Sequence, residues 1–202
     1  RGNMMKTMAR ATGLLALLCA FSAPAQDTAP DALVKSAVNE VLGVIKQNKD
    51  QNTLIDLAEK KVVAHFDFKQ MTQLALGRSW SQATPAQQQA LERAFRTLLV
   101  RTYTAALSQS SGETRVEVKP AALKAGDTET VVRTLAIEPG RKPVQIDYRM
   151  RNASGGWKVY DVVVENLSLV TNYRSSFQSE IARSGIDGLI KTIEAKNQKR
   201  EG

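Results

Sequence analysis

The sequence predicts an α+β domain in which several helices cover a curved antiparallel sheet of four strands. Three observations carry this. Asp31 to Gln47 and Thr84 to Leu107 repeat apolar residues at three- and four-residue steps, the period of an amphipathic helix. Downstream, four runs rich in β-branched and aromatic residues are separated by Gly126-Asp127, Pro139-Gly140 and Gly155-Gly156, the pattern of a meander. Finally, the stretch WKVYDVVVENLSLVTNYRSSF, Trp157 to Phe177, changes from an extended to a helical period after Asn166.

Taken in order, the first helix buries Leu33, Val34, Ala37, Val38, Val41, Leu42 and Ile45 as one stripe, and Asn48 to Asn52 break it. Leu54, Ile55, Leu57, Ala58, Val62 and Val63 suggest a second helix. Asp67 is placed to cap a third, with Gln70 completing a capping box and Gly77 closing the C-terminus. Thr84-Pro85-Ala86-Gln87 starts the long fourth helix with an N-cap, a proline in the first turn and a capping-box glutamine.

The strands are expected at Thr114 to Val118, Thr130 to Ile137, Val144 to Arg151 and Trp157 to Val164. In the third, Val144, Ile146, Tyr148 and Met150 alternate with Gln145, Asp147, Arg149 and Arg151, so one face is apolar and the other charged. The fourth interrupts its apolar run only at Lys158 and Asp161, as a strand covered on both faces does. Leu167, Val170, Tyr173, Arg174 and Phe177 then start a last helix, capped by Ser168 or Thr171. It breaks near Gly185 and resumes from Ile186 to about Ala195.

The first 25 residues read as an export signal. Lys6 and Arg10 precede an apolar run, and Ala23-Pro24-Ala25 is a cleavage site of small residues. Cys19 invites a lipoprotein reading, but the bulky Leu18 before it argues against that. A cut after Ala25 leaves residues 26–202 as one domain without cysteine. The formal charge of +8 falls with the loss of Arg1, Lys6 and Arg10, and the remaining basic excess suits an anionic lipid surface or plain solubility. No basic run is interleaved with aromatics, so nucleic acid is not expected as a partner.

Catalytic constellations are thin. His65 is the only histidine, and no nucleophile elbow, phosphate-cradling loop or metal-spaced cluster is present. One enzyme reading rests on fold analogy. In a cone-shaped fold Asp161 would be a general base, with Tyr148 or Tyr160 as hydrogen-bond donor, although neighbouring residues of a regular strand point to opposite faces. The blander role for Asp161 is a hydrogen bond or ion pair, with Arg149 or Arg151 on the neighbouring strand, at a partly exposed site. A plain interaction module, its apolar faces packed on each other, is a further alternative.

Trp157 to Phe177, together with FDFKQMTQLALGRSW (Phe66 to Trp80), resembles the MlaC or toluene-tolerance family of periplasmic phospholipid-binding proteins, with likeness from about Asp31 to Lys191. The resemblance implies a cone-shaped, NTF2-like fold and a carrier without catalysis. Its partners would be a phospholipid, an outer-membrane lipoprotein/porin complex and an inner-membrane ABC transporter complex with a lipid-binding subunit. No cofactor is implied beyond the lipid cargo. Two acyl chains carry about 30 methylenes, and at about 0.8 kcal/mol each their exposure costs on the order of 25 kcal/mol. A carrier must therefore enclose them in an apolar cavity on the order of 1,000 Å³ and leave the phosphate near the mouth. The wall expected on this reading comprises Phe66, Phe68, Met71 and Leu74, then Leu98, Leu99 and Tyr103. From the sheet and the last helix it adds Val131, Leu135, Ile146, Tyr148, Met150, Val163, Leu167, Val170 and Tyr173. Phe66, Phe68 and Met71 equally suit ordinary core packing.

Overall fold

A computed structural model gives the structure of residues 28–153 and 155–199. The expected export signal, the cut after Ala25 and the state of Cys19 lie outside the described residues. Helix α1 spans Pro30–Gln47 and α2 Gln51–Leu57. A π turn (Ala58–Val62) and a 3-10 turn (Val63–His65) lead to α3, Phe68–Leu76. A 3-10 turn, Gly77–Gln82, precedes α4, Pro85–Ser108. The sheet follows as β1 Arg115–Val118, β2 Glu129–Ile137, β3 Val144–Ala153, β4 Gly156–Val164 and β5 Leu167–Ser168. After a 3-10 turn at Thr171–Tyr173, α5 runs over Arg174–Lys199.

The helix starts follow the capping chemistry of the sequence. Thr84 and Gln87 form the reciprocal box, with bonds of 3.2 Å from Gln87 N to Thr84 Oγ1 and 2.9 Å from Thr84 N to Gln87 Oε1. At α3 only half of the expected box forms, because Asp67 Oδ1 accepts from Gln70 N at 2.9 Å but the reciprocal groups are used elsewhere. Asp67 N donates to the Val159 carbonyl at 2.8 Å, and Gln70 Oε1 accepts from Arg151 Nη1 at 2.9 Å. The start of α3 is thereby fastened to β4 and β3. Gly185 interrupts α5 with φ 71° and ψ −177°, as expected, although the helix extends to Lys199 rather than to about Ala195.

Five strands form one antiparallel sheet in the order β1-β2-β3-β4-β5, one more than the sequence reading gives. The difference lies after Val164. Glu165 and Asn166 both take positive φ, 48° and 68°, and Val164 pairs with Leu167. That is a two-residue hairpin turn of the kind whose twist matches antiparallel strands. Leu167 and Ser168 are therefore a short strand, and the helix that the spacing placed at Leu167 starts at Arg174 instead. Of the apolar residues that suggested the helix, Val170 is buried and Tyr173 packs on the helical cluster, whereas Leu167 is exposed on the hairpin.

β4 also carries an irregularity that decides its faces. Arg149 pairs with Asp161 while Met150 pairs with Val159, which leaves Tyr160 as the extra residue of a β-bulge. One face of the sheet then aligns Val132, Tyr148 and Val162, and the other aligns Val131, Arg149 and Asp161.

Two apolar clusters hold the layers. The larger joins α3, α4 and α5 around Leu76, Leu91, Phe95, Leu98, Phe177, Leu189 and Ile193. Phe95 meets Tyr173 and Phe177 edge-on, with ring centroids at 5.2 and 5.3 Å. The smaller packs Val34 of α1 onto Val132, Met150, Trp157 and Val159 of the sheet. Arg174 Nε and Gln178 Nε2 donate to the carbonyls of Leu74 and Leu76, at 3.1 and 2.6 Å, and so satisfy the C-terminal end of α3 from α5.

Candidate apolar ligand cavity

Between α1, the π turn, α3, α4 and the sheet lies a cavity of about 430 Å³. α1 supplies the longest side of its wall, from Leu33 through Val34, Ala37, Val38, Val41 and Leu42 to Ile45. Leu54, Leu57, Ala58, Val62 and Val63 continue it through α2 and the turns, and Val116, Ala136, Ile146, Tyr148, Val159, Val162 and Val164 form the sheet side. Among the described residues no Asp, Glu, Lys or Arg lines it, and His65, Tyr103 and Tyr148 are the titratable ones that do.

Four hydroxyls of the wall, those of Tyr103, Thr104, Ser110 and Thr114, donate to backbone carbonyls. Thr104 Oγ1 donates to the Val100 carbonyl at 2.7 Å, and Tyr103 OH donates to the Leu169 carbonyl at 3.3 Å. What these residues present inward is hydrocarbon. Burial pushes the Tyr148 hydroxyl up to about 12, and burial followed by the influence of Tyr173 pushes that of Tyr103 higher still.

Of the residues expected in the wall, Phe66, Phe68, Met71, Leu99, Tyr103, Ile146, Tyr148 and Val170 line the cavity. The others are placed elsewhere. Leu74, Leu98 and Tyr173 pack into the helical cluster, and Met150 is buried in the contact of α1 with the sheet. Val131 and Leu135 share the register of Arg133, so they lie on the opposite face, and Val131 is 37% exposed. Val163 pairs with Asp147 on that same face because the bulge at Tyr160 shifts the alternation. Leu167 is 55% exposed on the short β5. Conversely, the sequence reading assigned no role to the stripe of α1 beyond packing, although it forms the longest part of the wall. The signal was its width.

Asp161 does not line the cavity. It is fully buried, contrary to the expectation of a partly exposed site, while Arg149 Nη1 does pair with its Oδ2 at 3.5 Å. Ser168 Oγ donates to Oδ1 at 2.9 Å. Among the described residues no group of His, Cys, Asp and Glu is arranged to hold a metal ion, and no helix is long and apolar enough to cross a membrane.

The model of the family described as MlaC protein matches residues 35–195. The chain belongs to the MlaC family. It is 30% identical to the toluene tolerance protein Ttg2D of Pseudomonas putida over 192 residues, which covers 90% of this chain and 86% of that one. The intermembrane phospholipid transport system binding protein MlaC of Haemophilus influenzae is 24% identical over 173 residues, covering 81% and 80%. Among solved structures, the phospholipid-binding protein from Ralstonia solanacearum, in complex with a phospholipid, superposes with a TM-score of 0.77 at 38% identity. The match covers 86% of this MlaC-family chain and 99% of that chain.

Proposed function

We propose that this chain is a phospholipid carrier of the periplasm that holds acyl chains in the cavity between its helices and its sheet. The observation that carries the reading is the composition of the wall, which offers hydrocarbon from every surrounding element and, among the described residues, no Asp, Glu, Lys or Arg. Acyl chains gain about 0.8 kcal/mol per methylene in such a site, whereas a polar substrate would find few partners. The Ralstonia relative, similar over nearly its whole length, is described as holding a phospholipid, which supports the same ligand here. The cone-shaped, NTF2-like description of the fold belongs to this reading as well.

At about 430 Å³ the cavity is smaller than the two-chain argument asks, so taking up both chains requires the wall to move outward. α1 is the element able to do so, because it meets the sheet through the apolar packing of Val34 and not through a hydrogen-bonded ladder. In the cell, on this reading, the carrier exchanges lipid with an outer-membrane lipoprotein/porin complex and an inner-membrane ABC transporter. Organic extraction of protein purified without detergent, followed by mass spectrometry, tests the core of the proposal. A phospholipid near one per chain is expected, and its consistent absence would count decisively against a carrier.

A further inference from the structure

The borders of the apolar cavity are fastened unequally. On the sheet side, antiparallel ladders join β1 through β4. The start of α3 is bonded to β4 and β3 through Asp67 and Gln70. α4 is held to the π turn by the ion pair of Arg96 with Glu59, and to the segment after β5 by the hydroxyl of Tyr103. α1 is tied at its N-terminal end, where Asp31 Oδ2 accepts from Ala121 N at 3.3 Å, and at its middle, where Glu40 Oε1 stands 4.0 Å from Lys61 Nζ.

The C-terminal end of α1 is different. It meets the loop between α4 and β1, where a Cβ on Gly112 would stand 3.8 Å from the Cα of Lys46. Among the described residues no hydrogen bond or ion pair crosses this seam. Ser110 Oγ and Thr114 Oγ1 donate to the nearby carbonyls of Leu107 and Ser111, and Ser111 N donates to Glu138 on the far side of the loop. Both flanks of the seam belong to the cavity wall, Ile45 on one side and Leu107, Ser110 and Thr114 on the other. Of the described lining residues only Ala106 and Leu107 are exposed, Leu107 by 37%. The cavity therefore reaches water beside the one border that packing alone closes, and parting it leaves no donor or acceptor without its partner.

We propose that this seam is the portal through which lipid enters and leaves, the C-terminal end of α1 swinging away from the Gly112 loop while Asp31 and Val34 keep the other end on the sheet. This rests on the carrier reading and adds to it the route of the cargo. The test is a staple across the seam. In a Cys19→Ser background, Lys46→Cys and Gly112→Cys place two thiols on Cα atoms no more than about 5.3 Å apart, one Cα–Cβ bond beyond the 3.8 Å contact and within disulfide range. If oxidation leaves the thiols free, a short bis-alkylating reagent closes the same pair, with the singly substituted, alkylated chains as reference.

The chain is loaded from vesicles of deuterated phosphatidylcholine, stapled, and chased with unlabelled vesicles, the retained label being read by mass spectrometry. Stapling should slow exchange by about tenfold or more, and reduction of the disulfide should restore it. A staple between Glu117→Cys and Leu135→Cys, strand partners that do not line the cavity, should leave exchange within about twofold. Exchange as fast in the chain stapled at Lys46 and Gly112 as in its reference would overturn the portal and leave the carrier intact. Equal slowing by both staples would overturn it too, because stiffening anywhere would then suffice. Failure of the unstapled chain to load phosphatidylcholine would overturn the carrier itself.

Discussion

Ser168 Oγ donates a 2.9 Å hydrogen bond to Oδ1 of Asp161, a carboxylate with no exposed surface, and itself accepts the N–H of Thr171 at 3.0 Å. These bonds tie the short β5 and the following 3-10 turn to β4. They also supply one of the few partners that make burial of the charge tolerable. The other is Arg149, whose half-exposed side chain approaches Oδ2 at 3.5 Å and is partly screened by water.

Asp161→Asn keeps an acceptor for Ser168 but sets an amide against Arg149. A loss of about 1 to 3 kcal/mol in stability is expected, more than an exposed pair would cost, with Ser168→Ala losing about 1 kcal/mol. Lipid transfer between donor and acceptor vesicles should stay within a few-fold of wild type for the folded variants. A folded Asp161→Asn protein that still bound lipid but transferred it a hundredfold more slowly would reveal a role for the carboxylate beyond architecture.

Tryptophan substitutions separate the faces of the sheet. Ile146→Trp and Val162→Trp place rings in the cavity and should reduce the lipid carried per chain. Val131→Trp lies on the other, partly exposed face and should leave lipid content unchanged. If the cavity side were merely core, the first two would lose about 1 to 3 kcal/mol without any change in lipid content. Melting temperature and extracted lipid measured on the same samples distinguish these results.

The turn between β4 and β5 depends on left-handed backbone at Asn166, φ 68°. Asn166→Ala should destabilise the chain by about 1 kcal/mol, because a Cβ without a compensating side chain is strained there, whereas Asn166→Gly should be nearly neutral. Chemical denaturation of the pair checks this, and equal stability of the two would argue against the hairpin.

Tyr148 sets a limit at high pH. With its hydroxyl pushed up to about 12 by burial against an ordinary value of 10, the folded chain favours the neutral phenol more than the unfolded chain does. Its contribution is complete below pH 10 and is lost as pH rises toward 12, by about 2 to 3 kcal/mol. Ultraviolet titration should show Tyr148 ionising only with alkaline unfolding, and Tyr148→Phe should flatten that part of the stability curve.

The helices were legible because their signals are local. Thr84, Pro85 and Gln87 specify the start of α4 within four residues, and Gly185 marks its own break. The antiparallel order followed from turn dipeptides. What remained hidden depends on pairing between distant residues. Glu165-Asn166 lacks the glycine that advertises a two-residue turn, so β5 was read as helix. In β2 both faces contain apolar residues, and it is the charged Glu129 and Arg133, sharing the parity of Val131 and Leu135, that mark the side meeting water. The half-formed cap of α3 likewise reflects the nearness of Val159 and Arg151, which no window around Asp67 contains.

The bulge at Tyr160 makes β4 a strand with two frames. Trp157 and Val159 belong to the first frame, Val162 and Val164 to the second, and one additional residue joins them. In an unbroken strand Asp161 and Val163 would have followed Val159 inward, and the lining would have acquired a carboxylate. A single insertion thus acts as insulation: it lets the sequence keep an acid in the midst of its most apolar run while the compartment beside it stays free of charge.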